Sequence, residues 1–505
     1  MPGYDFDMIV IGAGAAGLTV ASGCAQLGLK TLLVEKENLL GGDCLHYGCV
    51  PSKTLLHTAK IYYQAGNMEH YGLPRVELPP VDYSSITQRI REVIEIIQKH
   101  DSEERFCSLG VRVEYGNPEF LDEHTIRVAG RNFSSRKFVL ATGSSPATPP
   151  INGLNETPYL TNKEIFSLDK LPPRLIILGA GAIATEMAQA FSRLGSQVSV
   201  IQRSDQILSN EDRDMADAIQ KRLEREGVHY YLNTRIREVR DMEGKERQVV
   251  FLDKNGQEQT VLGEELLVAM GRKPNLEGIN LEAAGVEYNK QGVPVDEKMR
   301  TNKKNIYAAG DVTGRYLFTH AAGYEGGIIV SNAAFHLPRK VDYTLLPWCT
   351  YTSPELASIG YNEKRAEEAG IDYRVWTENF GSNDRSLAEG EQDGYIKLIL
   401  NEREKPVGVQ ILGPKAGELI SEWVAALNAG IKLTTLVSSV HPYPTLGEIN
   451  KAVAGKYLQQ KIFSKRVQKL LKFFFHFKGR ACMTSAEISI LPISFTAFSI
   501  ICTTS

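Results

Sequence analysis

The sequence predicts an α/β protein containing two parallel-sheet units, and two repeated stretches carry that prediction. Residues 7–36, DMIVIGAGAAGLTVASGCAQLGLKTLLVEK, and residues 174–203, RLIILGAGAIATEMAQAFSRLGSQVSVIQR, each pass from an apolar strand through a glycine turn and a small-residue helix into a second apolar strand. The third observation is length. At 505 residues the chain exceeds what one hydrophobic core organises, so several domains are expected.

In the first unit Gly12, Gly14 and Gly17 stand where a dinucleotide fingerprint needs them. The first permits the tight turn, the second lets the backbone approach a pyrophosphate, and the third allows the helix to pack closely on the strand. Glu35 closes the second strand at the distance where an acid meets adenosine ribose hydroxyls. The second unit repeats the pattern with Gly179, Gly181 and Ala184, so two dinucleotides are expected. Its second strand ends in Gln202-Arg203-Ser204 instead of an acid, and an arginine there accommodates a 2'-phosphate, which favours NADPH over NADH.

Three further apolar runs close on glycine: FVLATGSSP (138–146) at Thr142 and Gly143, LLVAMGRKPN (266–275) at Gly271, and NIYAAGDVTG (305–314) at Gly310 and Asp311. Each reads as a strand ending at a nucleotide-facing loop. Asp311 has two readings, a carboxylate for a cofactor hydroxyl or the cap of a following helix.

The net charge of -3 gives no reason to expect a nucleic-acid partner. Seven cysteines in a chain of this length, without a basic and apolar leader, do not form a secreted disulfide framework, and a reducing, cytoplasmic compartment is expected. In that setting the pair in GGDCLHYGCVPSK (41–53), Cys44 and Cys49, is catalytic or metal-binding rather than a staple. A structural zinc site would need two more close ligands, and the other cysteines are scattered singly. His46, between the pair, is expected to be solvent-exposed or locally hydrogen-bonded.

Taken together these stretches resemble the flavin-dependent pyridine nucleotide-disulfide oxidoreductases over roughly residues 5–460. The resemblance implies two Rossmann-like dinucleotide-binding domains plus an α+β C-terminal dimerisation domain, a homodimer, and the cofactors FAD and NADP, with NAD as the alternative. It implies an FAD domain in two parts (1–145 and 276–340), an inserted NAD(P) domain (146–275), an interface domain (341–460) and a tail (461–505). GGDCLHYGCVPSK matches the family's active disulfide, with Cys49 facing the flavin, Cys44 facing the substrate, and Lys53 beside the flavin paired with Glu186.

In many members a histidine directly before Pro-Thr, paired with a glutamate, protonates the attacking thiol across the dimer interface. Here Tyr443 takes that position and Glu448 is retained, with His441 two residues earlier on the same face of an extended segment. A phenol of ordinary pKa near ~10 is a poor base for a thiol, which turns the resemblance toward the mercuric reductase branch and reduction of Hg(II), a soft ion suited to soft thiolates. That branch's N-terminal metal-binding domain is not expected here, because the first dinucleotide unit begins almost at once, nor are its vicinal C-terminal cysteines, since Cys482 and Cys502 stand alone. Dihydrolipoamide dehydrogenase, or another disulfide or quinone reductase, is the alternative. A membrane-associated redox sensor on the same fold is a third reading.

That third reading rests on the tail. Residues 461–480, KIFSKRVQKLLKFFFHFKGR, hold seven basic residues and no acid, with apolar residues largely at helical spacing. Such a stretch suits an anionic membrane surface at the inner face, or packs on protein. The run 488–502 is short and interrupted by Pro492, so it is not expected to span a bilayer.

Overall fold

Strand β1 (Phe6–Ile11) lies at the centre of a seven-stranded sheet. The structure is a computed structural model that describes residues 3–242 and 246–477. From β1 the chain turns into helix α1 (Ala15–Gln26) and returns as β2 (Thr31–Glu35). The short α2 (Gly42–His46) and the long α3 (Cys49–Gly66) and α4 (Tyr83–Gln98) follow, and α5 (Glu103–Ser108) leads into β3 (Val111–Tyr115). Strands β4 (Pro118–Asp122), β5 (Thr125–Val128) and β6 (Arg131–Leu140) form an antiparallel meander. The C-terminal half of β6 returns alongside β1, so β3, β2, β1 and β6 are parallel, and β7 (Ser144–Pro146) carries the chain away. The inner strands are buried on both faces, which is why they read as unbroken apolar runs instead of alternating.

The second unit repeats the plan: β8 (Arg174–Leu178), α6 (Ala182–Leu194), β9 (Gln197–Ile201), α7 (Arg213–Arg225) and β10 (Val228–Tyr231). The antiparallel sheet β11 (Arg235–Met242), β12 (Glu246–Leu252) and β13 (Glu258–Gly263) precedes β14 (Glu265–Val268), which completes the parallel order β10-β9-β8-β14. The chain comes back through β15 (Arg272–Pro274), which pairs antiparallel with the exit strand β7. Strand β16 (Ile306–Ala308) then joins the first sheet beside β6, and α8 (Thr319–Ala334) packs on α1. Small residues allow that approach: a Cβ on Gly23 would sit 2.9 Å from a methyl of Val330.

The last third is an antiparallel sheet in the order β17-β18-β21-β20-β19, from β17 (Pro347–Thr350), β18 (Glu355–Gly360), β19 (Tyr373–Asn379), β20 (Tyr395–Asn401) and β21 (Pro406–Gly413). Short helices α9 (Glu363–Glu368) and α10 (Asp384–Glu389) lie between its strands. Helices α11 (Ala416–Asn428), α12 (Leu433–Ser438) and α13 (Glu448–Ile462) follow it, with Trp423 fully buried in their core. This is the α/β class with an α+β C-terminal domain that the sequence predicts.

The basic stretch from 461 is not one continuous helix. Helix α13 ends at Ile462, and Ser464 adopts an extended conformation whose hydroxyl accepts the Val467 N–H, starting a new helix, α14 (Lys465–Phe475). The run 488–502, Cys482 and Cys502 lie outside the described residues.

Polar contacts join the second parallel unit to the C-terminal sheet. Lys397 on β20, only 2% exposed, donates to Asp212 (3.0 Å), Asp214 (2.7 Å) and Glu363 (2.6 Å). The three acids come close enough to suggest a cation site, and the Lys397 ammonium supplies their positive charge. Beside them Trp348, Ser358 and Gln410 all donate to the buried Glu211. Replacing Lys397 by Met leaves buried carboxylate charge uncompensated. The K397M variant is expected to lose about 3 kcal/mol of stability, seen as a lowered midpoint in chemical denaturation.

Candidate active site

The GGDCLHYGC segment is laid directly on the first glycine turn. Gly41 and Gly42 both hold left-handed backbone, at φ 111° and 62°, and a Cβ on Gly42 would stand 2.8 Å from the Cα of Gly14. The Gly41 N–H also donates to the Ala13 carbonyl at 2.9 Å. This close approach puts Cys44 on α2 and makes Cys49 the first residue of the 18-residue helix α3, whose N-terminal end favours a thiolate. His46 has its Nε2 2.9 Å from the Leu40 carbonyl, the local hydrogen bond expected of it.

Cys44 and Cys49 are not joined by a disulfide here, and their thiols are pushed in opposite directions. The Cys49 thiol is pulled down to about 6, chiefly by a hydrogen bond from Cys44, with help from the Thr319 hydroxyl and the charge of Lys53; burial and Glu186 oppose this. Cys44 is pushed up by the same bond and by burial. The arrangement holds a thiolate on Cys49 and a proton on Cys44. Thr319 begins α8 and its Oγ1 lies 3.4 Å from Cys49 Sγ. No local sequence signal pointed to it, because it is 270 residues from Cys49 in the chain.

Lys53, one turn into α3, donates to Glu186 Oε2 at 2.9 Å and lies 4.4 Å from the ring centroid of Tyr351. The other Glu186 oxygen accepts the Tyr351 N–H at 2.9 Å. One carboxylate on α6 thereby joins the redox helix to the loop after β17. A turn later Gln189 makes a two-way bond with the backbone of Ser353.

The two glycine turns share their geometry. A Cβ on Gly12 would meet the Ala141 carbonyl oxygen at 2.3 Å, and one on Gly179 would meet that of Ala269 at 2.5 Å. Both glycines have φ near the same left-handed value, 101° and 100°. Gly17 allows no side chain at all, since its Cβ would lie 1.8 Å from the Gly12 carbonyl oxygen, whereas Ala184 is buried with its methyl accommodated. In front of Gly14 and Gly181 there is open space, and neither α1 nor α6 has a side-chain cap. Their first-turn N–H groups therefore fit a pyrophosphate.

Around the first turn, Glu35 is buried and accepts the Ala13 N–H at 2.7 Å and the Glu37 N–H at 3.0 Å. Asp311 starts a 3-10 turn after β16, accepts the Ser144 hydroxyl at 2.5 Å, and has its carboxyl pushed up by burial. Gly310 donates to Glu325, a fully buried acid on α8 that the motif reading did not single out. Thr142 and Gly143 are stitched to Asn275: the Thr142 hydroxyl donates to the Asn275 carbonyl, and the Asn275 N–H to that of Gly143. Gly271 (φ 115°) accepts from the Ala147 N–H at the β7–β15 crossing. Arg272, next to it, donates to Ser144 and to Asp43, the residue preceding Cys44, and lies 3.7 Å from Asp311. Around the second turn, the Gln202 side chain donates to Ser204, and exposed Arg203 has no ion-pair or hydrogen-bond partner among the described residues.

Tyr443 and Glu448 are not drawn into this cluster within one chain. Tyr443 is 70% exposed, and its phenol donates to Asp384 at 2.8 Å, a bond that holds it above the ordinary tyrosine value. Glu448 heads α13 and accepts the Thr445 N–H at 3.4 Å. His441 lies 2.9 Å from Glu422, a different carboxylate from the one Tyr443 reaches.

The Cys49 thiolate is present above pH about 6 and lost as the pH falls through that value. In Thr319→Val one hydrogen-bond donor to the thiolate disappears. Ultraviolet thiolate absorbance of the reduced protein is then expected to vanish at a higher pH than in the unaltered chain.

Two family models match the chain: Pyridine nucleotide-disulphide oxidoreductase over residues 6–326, and the dimerisation domain of the same family over residues 346–454. Mercuric reductase of Staphylococcus aureus is 35% identical over 468 residues, covering 92% of this chain and 84% of the relative. Dihydrolipoyl dehydrogenase 3 of Haloarcula marismortui is 35% identical over 460 residues, covering 88% and 94%. Among solved structures, the HOCl-induced flavoprotein disulfide reductase RclA from Escherichia coli superposes with a TM-score of 0.80 at 28% identity, covering 89% of this chain and 99% of that one. The family is FAD-dependent and uses NAD(P)H, and its dimerisation domain supports a homodimer. With its two glycine turns, its cysteine pair and its C-terminal sheet all inside the matched regions, this chain belongs to the pyridine nucleotide-disulphide oxidoreductases.

Proposed function

We propose that the chain is an NADPH-dependent reductase that passes two electrons through the Cys44–Cys49 disulfide to a soft metal ion, in the manner of a mercuric reductase. The observation that carries this reading is a thiolate–thiol pair accompanied by Tyr443 where an acid–base histidine would serve disulfide substrates. A Cu(II) complex is among the solved structures of the RclA relative, which supports metal-ion binding by a protein of this kind.

When bound, FAD supplies the two-electron relay between the nicotinamide and the disulfide. Gly12, Gly14, Gly17, Glu35, Thr142, Gly143, Gly310 and Asp311 are the proposed FAD residues. Gly179, Gly181, Gln202, Arg203 and Gly271 are those for NADPH, with the unpaired Arg203 meeting the 2'-phosphate. NADPH and one proton convert the disulfide to two thiols. Lys53, held by Glu186, stabilises the thiolate on Cys49, and Cys44 presents its sulfur to the acceptor. Hg(II) binds the two sulfurs with loss of their protons, takes two electrons to leave as Hg(0), and the disulfide re-forms. Tyr443 and Glu448 are proposed to face this site across the dimer, the phenol as a hydrogen-bond donor. A cytoplasmic location completes the proposal, and among the described residues no helix is long and apolar enough to cross a membrane.

The test is an anaerobic NADPH titration of the holoenzyme, followed by turnover with Hg(II), Cu(II), lipoamide, glutathione disulfide and quinones. Hg(II)-dependent NADPH oxidation is expected, with a fall of about a hundredfold or more in Cys44→Ser and in Cys49→Ser. NADPH consumption that survives loss of both cysteines would overturn the mechanism. Strong lipoamide turnover by the unaltered chain would move the assignment to dihydrolipoamide dehydrogenase. Under the proposal that turnover is weak and rises in Tyr443→His, because imidazole exchanges protons near neutral pH.

A further inference from the structure

Helix α14 follows the dimerisation domain and carries two faces of different chemistry. Val467, Leu470, Leu471 and Phe474 recur at the spacing that places them on one face, and Phe473 and Phe475 flank them. Lys465, Lys469 and Lys472 recur on the opposite face, with Arg466 at the edge. Little of either face is covered by the rest of the described residues. No residue of α14 is buried; Phe473 is 73% exposed and Phe474 66%, and the four basic side chains make no ion pair among the described residues. Beyond α14, Phe477 adds another exposed ring, and Lys478 and Arg480 extend the basic run in sequence.

Charge separates the possible partners. Residues 1–460 hold 50 basic and 59 acidic residues, a net of -9, so the body of the enzyme has no general attraction for an anionic surface. The segment from 461 to 480 has seven basic residues and no acid. A helix with exposed aromatic and leucine side chains on one side and lysines on the other meets both halves of a membrane interface. Its apolar side enters the headgroup–acyl boundary, while its ammonium groups stay among anionic headgroups.

We propose that α14 docks the enzyme on an anionic lipid surface, lying in the plane of the interface. This inference is independent of the electron acceptor.

The experiment uses the full-length holoenzyme and co-sedimentation with two kinds of vesicle: neutral phosphatidylcholine alone, and phosphatidylcholine with about a third anionic phosphatidylglycerol. Binding is expected to the anionic vesicles only, weakening as salt is raised. The combined variant Lys465→Glu, Lys469→Glu, Lys472→Glu is expected to bind about tenfold less or worse, and Phe473→Ser with Phe474→Ser likewise, with NADPH oxidation and sedimentation size unchanged. Equal binding to neutral vesicles would overturn the proposal, as would no binding at low salt or undiminished binding by the charge-reversed variant. A variant that loses its oligomeric state without any vesicle binding in the parent would assign the face to a second copy of the chain and overturn the proposal as well.

Discussion

The site depends on the Lys53–Glu186 ion pair more than on any other contact. Glu186 sits nearly out of water on α6, where an unpaired carboxylate would cost several kcal/mol, and Lys53 reaches it from the redox helix α3. The second carboxylate oxygen is taken by the Tyr351 N–H, and the Tyr351 ring lies against the Lys53 ammonium. Three parts of the chain, distant in sequence, thus meet at one charge pair: the cysteine helix, the second dinucleotide helix, and the loop of the C-terminal sheet. The same ammonium helps to hold Cys49 as a thiolate. A structural bond between domains and the electrostatics of the redox pair are therefore one interaction.

Around it, backbone sterics do the positioning. The first glycine of each dinucleotide turn is pressed against a carbonyl of the neighbouring strand's loop, Ala141 or Ala269, so neither turn tolerates a side chain there. The redox segment adds a third close approach by lying over Gly14 with two left-handed glycines of its own. The glycines of GGDC thus have the same physical cause as those of GAGAAG. Asp43 then ties the segment to Arg272 and Asn162, so the helix carrying Cys44 is held from both sides.

Much of this was legible in the chain, for reasons that differ by residue. Gly12, Gly14, Gly17, Gly179 and Gly181 announce themselves because a tight turn and a close helix packing exclude other side chains at fixed local spacing. Strands buried on both faces read clearly as apolar runs. Thr319, Tyr351, Arg272 and Glu325 gave no such signal, since a threonine, a tyrosine, an arginine or a glutamate has many uses and only folding brings these to Cys49, Lys53, Asp43 and Gly310. Alternation along an extended segment suggested that His441 points with Tyr443, yet the two side chains reach different carboxylates, Glu422 and Asp384. Helical periodicity ran through residues 461–475 without showing the break at Ser464, because a serine is compatible with both a helix interior and a cap.

By itself the sequence determined the α/β class, the two dinucleotide turns and the cysteine pair, all features set by local spacing and by residues with few conformational alternatives. Only the tertiary structure decided which groups surround Cys49 and what holds the lysine. It also decided that Tyr443 bonds to Asp384 within its own chain, and that among the described residues α14 has neither its apolar nor its basic face buried. The reason is physical: a thiol's proton affinity and a side chain's exposure depend on groups that are near in space, and their distance along the chain carries no trace of that nearness.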